Sequence, residues 1–109
     1  NPRVLLQVNI GEEESKGGFS ADQLRENFAE ISKLENITVV GLMCIPPAVA
    51  EPELARVWFK KVSDLRDELQ QLHEISLPEL SMGMSGDFEV AIEEGSTMVR
   101  VGTSIFGTR

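Results

Sequence analysis

Short strand-like runs, each stopped by glycine or proline, alternate with helix-patterned stretches along the whole chain, and that alternation admits few folds. The first run, Val4-Leu5-Leu6-Gln7-Val8-Asn9-Ile10, stops at Gly11. In such a strand Val4, Leu6, Val8 and Ile10 share one face, and Leu5, Gln7 and Asn9 share the other. The second run, Thr38 to Ile45, ends at Pro46-Pro47, where proline removes the donor that a continuing ladder needs. The third, Glu79 to Met82, leads into Gly83-Met84-Ser85-Gly86, and the last, Thr97 to Val101, leads into Gly102-Thr103-Ser104.

Between these runs lie helices. Ser20 with Gln23 forms a capping box, and Phe19 with Leu24 a hydrophobic staple. Leu24, Phe28, Ile31 and Leu34 then recur at helical spacing, which predicts a helix over 21–34 with one buried face. A longer helix over 53–72 is marked by Leu54, Val57, Trp58, Val62, Leu65, Leu69 and Leu72. That stripe reads as core, and Lys60, Lys61, Asp64, Arg66 and Asp67 as the solvated side. A short helix is expected around Asp87–Glu94, and a helical turn through Ile105-Phe106-Gly107. Strand and helix in strict alternation mean a parallel α/β fold, not a sandwich.

Composition narrows the function. Hydrophobic residues at 41% and charged residues at 26% are the balance of a globular chain. Its 109 residues are the length of one ordinary domain. No apolar run approaches the ~20 residues of a membrane span, and no secretory leader pattern is visible. Cys44 as the single cysteine excludes an internal disulfide framework and fits a reducing compartment. Ten basic against 18 acidic residues, a net charge of −8, argue against nucleic acid, whose affinity rests on clustered Lys and Arg. A small anion held by backbone N–H groups remains compatible with that charge. Glu12, Glu13 and Glu14 read as a solvated loop face. His73 has no second His or Cys at ligand spacing, and there is no zinc spacing, P-loop, GxGxxG or Ser/His/Asp motif.

In parallel α/β folds ligands bind at the carboxyl ends of the strands. The turns after the third and fourth runs each place glycine and a hydroxyl residue between strand and helix. In (β/α)8 barrels the loops after the last two strands often hold a phosphate. Ser85, Gly102 and Thr103 are therefore candidates for a phosphate cup; the plainer alternative is a pair of tight turns with capping hydroxyls. Arg100 interrupts an otherwise apolar strand, as an internal salt-bridge partner or as a donor aimed at a ligand. Asn9 allows the same two readings, with strand-end hydrogen bonding the plainer.

Leu6-Gln7-Val8-Asn9-Ile10, Glu14-Ser15-Lys16-Gly17, Gly41-Leu42-Met43, Leu80-Ser81-Met82-Gly83-Met84-Ser85 with Asp87-Phe88, and Gly95 through Gly107 with Arg109 together resemble the pyridoxal 5′-phosphate (PLP) homeostasis protein family. The resemblance runs from Val4 to Arg109. It implies a parallel (β/α)8 TIM-type barrel like the alanine racemase N-terminal domain, with PLP at the carboxyl mouth. It also implies a cytoplasmic, non-catalytic PLP carrier in vitamin B6 and amino-acid homeostasis, with no metal. By motif, Ser85, Gly102 and Thr103 would hold the phosphate. Arg100 would stand near the pyridine nitrogen, where a cation discourages ring protonation. Met82, Met84 and Asn9 would line the mouth.

The family's Schiff-base lysine lies in an N-terminal half with no counterpart here, and Lys16, Lys33, Lys60 and Lys61 match no such position. The resemblance thus makes the chain the C-terminal half of the barrel, about four βα units where a whole barrel takes ~250 residues. The abrupt entry from Asn1 into strand then reads as a cut edge. Such a half would dimerise, pair with the missing half, or aggregate. On its own it is expected to form no covalent PLP adduct. A racemase-type PLP enzyme and a phosphosugar-binding barrel enzyme are the alternative functions.

Overall fold

A computed structural model describes residues 2–11, 17–46, 50–84 and 86–100, with Arg100 described by its backbone alone. Strand β1 (Arg3–Val8) is followed by helix α1 (Ala21–Ser32) and strand β2 (Thr38–Cys44). A 3₁₀ turn at Pro52–Ala55 leads into helix α2 (Arg56–His73). Strand β3 (Glu79–Met84), helix α3 (Phe88–Glu93) and strand β4 (Met98–Arg100) complete the described chain. The sheet has four strands in the order β1-β2-β3-β4, every neighbouring pair parallel. Right-handed crossovers that always step the same way put all the helices on one face of the sheet.

The core lies between that face and the helices. Leu6, Leu42 and Leu80 stand in one row across β1, β2 and β3, and all three are buried. Two residues on, Val8, Cys44 and Met82 point the same way and are buried too. Leu24 and Phe28 of α1 and Phe59, Val62, Leu65 and Leu69 of α2 close over them, with Ala91 of α3. The other face carries Leu5, Gln7, Val40 and Met43, each only half-buried. Arg3, Leu5, Val40, Glu79 and Met98 line a shallow concavity of about 260 Å³.

The start of α1 forms as its sequence dictates. The Ser20 hydroxyl accepts from the Gln23 N–H at 3.1 Å, and the Gln23 side chain accepts from the Ser20 N–H at 3.0 Å. Phe19 packs against the core beside the fully buried Leu24. The end is earlier than the spacing predicts. Lys33 caps the helix, its N–H donating to the Glu30 carbonyl while the Leu34 N–H donates to that of Ile31, and the Leu34 side chain is left 55% exposed.

The stripe of the second helix needs a larger correction. Leu54, Val57 and Leu72 are exposed, while Phe59, outside the expected stripe, is fully buried. Phe59, Val62, Leu65 and Leu69 recur at helical spacing on the face that meets the sheet, and Val57, two residues before Phe59, points to the other side. Leu54 lies in the 3₁₀ turn at Pro52–Ala55, before the α-helix begins. Leu72 lies in the last turn, past the sheet-facing run.

Candidate functional site

Parallel strands gather their carboxyl ends on one rim of the sheet, and the side chains and turns there are the ones a ligand would meet. At the β1 end Asn9 is half-buried. Its N–H donates to the Phe19 carbonyl at 2.7 Å, and the Phe19 N–H donates to the Gln7 carbonyl at 2.9 Å. The Gln7 side chain donates to the Gly17 carbonyl at 3.1 Å. Residues 17–19 are thereby laced along the outer edge of β1, opposite β2. At the β2 end Cys44 is buried and Ile45 is exposed.

The β3 end is shaped by Gly83, whose φ of +102° suits glycine alone. A Cβ there would lie 2.7 Å from the Ala91 Cβ, so glycine also lets α3 seat against the strand. Met84 follows, about half exposed at 46%. The Asp87 carboxylate accepts from the Met84 N–H at 2.7 Å, and the Asp87 N–H donates to the Met84 carbonyl at 3.0 Å. This closed turn takes up the Met84 peptide groups, so they are not offered to an anion. A Cβ at Gly86 would meet nothing within 4 Å, so the turn faces open space. At the β4 end, Arg100 pairs in register with Met84.

Of the residues singled out in the sequence, the fold therefore brings Met84 and Arg100 side by side. It places Asn9 on the same rim two strands away, about 10 Å at the usual strand spacing. Met82 lies behind the rim. It shares the helix-facing side of β3 with Leu80 and is fully buried in the core. Ser85, Gly102 and Thr103 lie outside the described residues. In the sequence Asp87 stood at an expected helix start and within a motif but had no role in the turn, for which the signal was a Gly-Asp pair.

A PLP-sized ligand can be tested against what is present. The exposed Met84 offers an apolar surface for a ring at the rim. Covalent attachment has no counterpart among the described lysines: Lys33 caps α1, and Lys60 and Lys61 lie on α2. Lys61 instead stands 5.0 Å over the Trp58 ring. The described residues thus fit the scaffold of such a site and not its covalent anchor. His73 has a structural place, its ring 4.9 Å from that of Phe28 in the last turn of α2. Among the described residues no group of three His, Cys, Asp or Glu could hold a metal ion, and no helix is long and apolar enough to cross a membrane.

The perturbed ionisable groups lie on the helices, away from the rim. The Arg25 guanidinium is held more firmly charged by hydrogen bonds to Glu68 and Asp22. Arg56 is pushed the same way by Glu53, Glu93 and Glu94, and it pulls the Glu53 carboxyl below the usual carboxylate range. These are ties between helices.

Comparison with known proteins adds the following. The family described as alanine racemase, N-terminal domain, matches residues 1–109. A pyridoxal phosphate homeostasis protein of Aquifex aeolicus is 55% identical over 106 residues, which is 97% of this chain and 46% of that protein. One of Vibrio alginolyticus is 48% identical over 108 residues, 98% of this chain and 46% of that protein. Among solved structures, PipY of Synechococcus elongatus with PLP bound is similar with a TM-score of 0.83 at 34% identity, over 97% of this chain and 49% of PipY. The same protein without PLP gives a TM-score of 0.88 at 36% identity. The chain spans about half the length of the curated relatives it matches.

Proposed function

The chain belongs to the alanine racemase N-terminal domain family, and we propose that it forms half of a (β/α)8 barrel that binds PLP as a carrier in vitamin B6 and amino-acid homeostasis. The observation that carries this reading is the likeness to PLP-bound PipY over 97% of the chain. The pyridoxal phosphate homeostasis proteins among its relatives point the same way. In this reading the protein works in the cytoplasm, and the barrel closes when the half outside this chain pairs with the open edges of β1 and β4. The covalent lysine belongs to that other half.

Each residue then has a task. Ser85, Gly102 and Thr103, in the turns that leave β3 and β4, hold the phosphate by hydroxyl and backbone N–H groups. Arg100, next to Met84 across the β3–β4 pair, presents a cation to the ring nitrogen and so keeps it unprotonated. Met84 packs on the ring, and Asn9 hydrogen-bonds at the opposite side of the mouth. PLP, when bound, supplies an aldehyde and an electron-poor ring. An unprotonated ring nitrogen makes a weak electron sink, which suits carriage and opposes racemisation.

The test uses the full-length protein. Added PLP is expected to give a borohydride-reducible absorbance near the visible edge, and digestion should place the reduced PLP on a lysine outside this chain. Absence of binding, turnover as an amino-acid racemase, or reduced PLP on Lys16, Lys33, Lys60 or Lys61 would each overturn the proposal.

A further inference from the structure

Four methionines lie on the strands of the sheet, and they differ in what shields their sulfur. Met82 is fully buried against the helices. Met43 is half-buried on the opposite face. Met98, 45% exposed, lines the concavity on that same face, which the other half of a barrel would cover. Met84, 46% exposed, stands instead at the carboxyl rim. Its strand β3 already has both neighbours, β2 and β4, so closing a barrel adds no strand beside it. The rim is where a barrel opens to solvent, and an occupant of the mouth is what stands to cover Met84.

The backbone around Met84 fixes that exposure. Gly83 precedes it with a φ of +102°. Asp87 holds both Met84 peptide groups, the N–H by its carboxylate at 2.7 Å and the carbonyl by its N–H at 3.0 Å. On β4 the ladder partner of Met84 is Arg100. Pinned on both sides, the side chain has no route back into the core, where Met82 already fills the helix-facing position.

A thioether is soft and polarisable and makes favourable contacts with aromatic rings. The same sulfur, when exposed, is open to peroxide. One oxygen atom passes from the peroxide to the sulfur as the O–O bond breaks, and the rest of the peroxide leaves as water. The sulfur is oxidised by two electrons, the peroxide is reduced by two, and the apolar thioether becomes a polar sulfoxide. A sulfoxide wants hydrogen bonds that a ring face does not supply. A methionine sulfoxide reductase reverses the step, two thiols joining as a disulfide while the oxygen leaves as water.

We propose that Met84 is a peroxide-modification site at which oxidation and PLP binding oppose each other: bound PLP shields the thioether, and the sulfoxide no longer packs on the ring. The site depends on the PLP reading above, since the shield is the ligand. An empty mouth thus exposes the residue that, once oxidised, keeps the mouth empty until it is reduced.

The experiment treats full-length protein with hydrogen peroxide, with free methionine in the same tube as the rate reference. Peptide mass spectrometry reads the sulfoxide at each methionine. Met84 is expected to react and Met82 to stay reduced. At a PLP concentration about ten times Kd the unliganded fraction is about one in ten, so Met84 should react about tenfold more slowly. Oxidised protein freed of peroxide should bind PLP about tenfold more weakly, the loss of one sulfur–aromatic contact at the upper end of its range. Treatment with the reductase should restore the original Kd. In Met84→Leu, which lacks the sulfur, the ratio of Kd after peroxide to Kd before should stay at about one. If that variant does not fold, the site-resolved rates and the recovery on reduction decide the matter. Equal oxidation of Met84 with and without PLP, an unchanged Kd after oxidation, or the same loss of affinity in Met84→Leu would each overturn the proposal while leaving PLP binding intact. A wild-type protein that binds no PLP before peroxide is added would overturn the PLP reading itself, and the modification site with it.

Discussion

Gly41 is the residue at which the sheet tolerates least. A Cβ built there would lie 1.8 Å from the carbonyl oxygen of Glu79, its partner across the β2–β3 pair, and 2.6 Å from the Glu79 carbonyl carbon. These are backbone atoms, so no flexible side chain can swing aside, and β2 would have to part from β3. Gly41→Ala is therefore expected to cost about 3 kcal/mol, the upper range for an overpacked site. Against a typical stability of 5–15 kcal/mol that is a large share. Gly17→Ala is the control, since a Cβ there meets nothing within 4 Å. Urea unfolding of the full-length protein should separate the two variants, and equal midpoints would refute this account of Gly41.

Among the elements, Arg56 links the start of α2 to the end of α3. Its guanidinium bonds Glu94 at 2.6 Å and also reaches Glu53 and Glu93. The Glu53 carboxyl is lowered by its hydrogen bond to Arg56. A group whose folded pKa is depressed binds fewer protons folded than unfolded, so its stabilisation is full above the unfolded pKa and fades as pH falls through the folded one. The chain should thus lose Tm on acidification from about pH 6 to about pH 3, and Arg56→Gln should lose less over the same window. Added salt should shrink the difference, because the cluster is largely exposed. Parallel pH profiles for the two proteins would remove the cluster from the acid response.

The same elements show what the sequence made legible. The capping box at Ser20 and Gln23 could be read in advance because local hydrogen bonds depend on a fixed spacing. The order of strands and helices could be read because hydrophobic period and glycine or proline stops are local as well. Phe59 was missed because apolar residues lie on more than one side of α2 and the turn that leads into it, Leu54, Val57 and Leu72 among them, so spacing alone admitted more than one stripe. The burial of Met82 was not legible either, because β3 carries apolar residues on both faces and alternation alone did not say which met the helices. The hydrogen bonds of Ser96 and Thr97 to β3 join segments distant in sequence and are invisible to any local pattern.

At the scale of the whole molecule, the described residues form a sheet with a helix-covered face and a bare one, and β1 and β4 are its outer strands. Phe19 already occupies the Gln7 carbonyl and the Asn9 N–H on the β1 edge, which among the described residues leaves Arg3 to Leu5 as the stretch open to another strand. Leu5, Val40, Met43 and the 45%-exposed Met98 make the bare face adhesive. A net charge of −8 opposes contact between copies, but only over a screening length of about 8 Å at physiological salt and about 3 Å at 1 M. Burial of apolar surface is not screened at all. The two effects therefore separate with ionic strength. The isolated chain is expected to stay dispersed at about 0.02 M salt and to associate at about 0.5 M. On the half-barrel proposal, adding a polypeptide with the other half should abolish that association and give a one-to-one complex at both salt concentrations. Light scattering reads both outcomes, and a monomer that stays monodisperse at high salt without its complement would show that the bare face needs no partner.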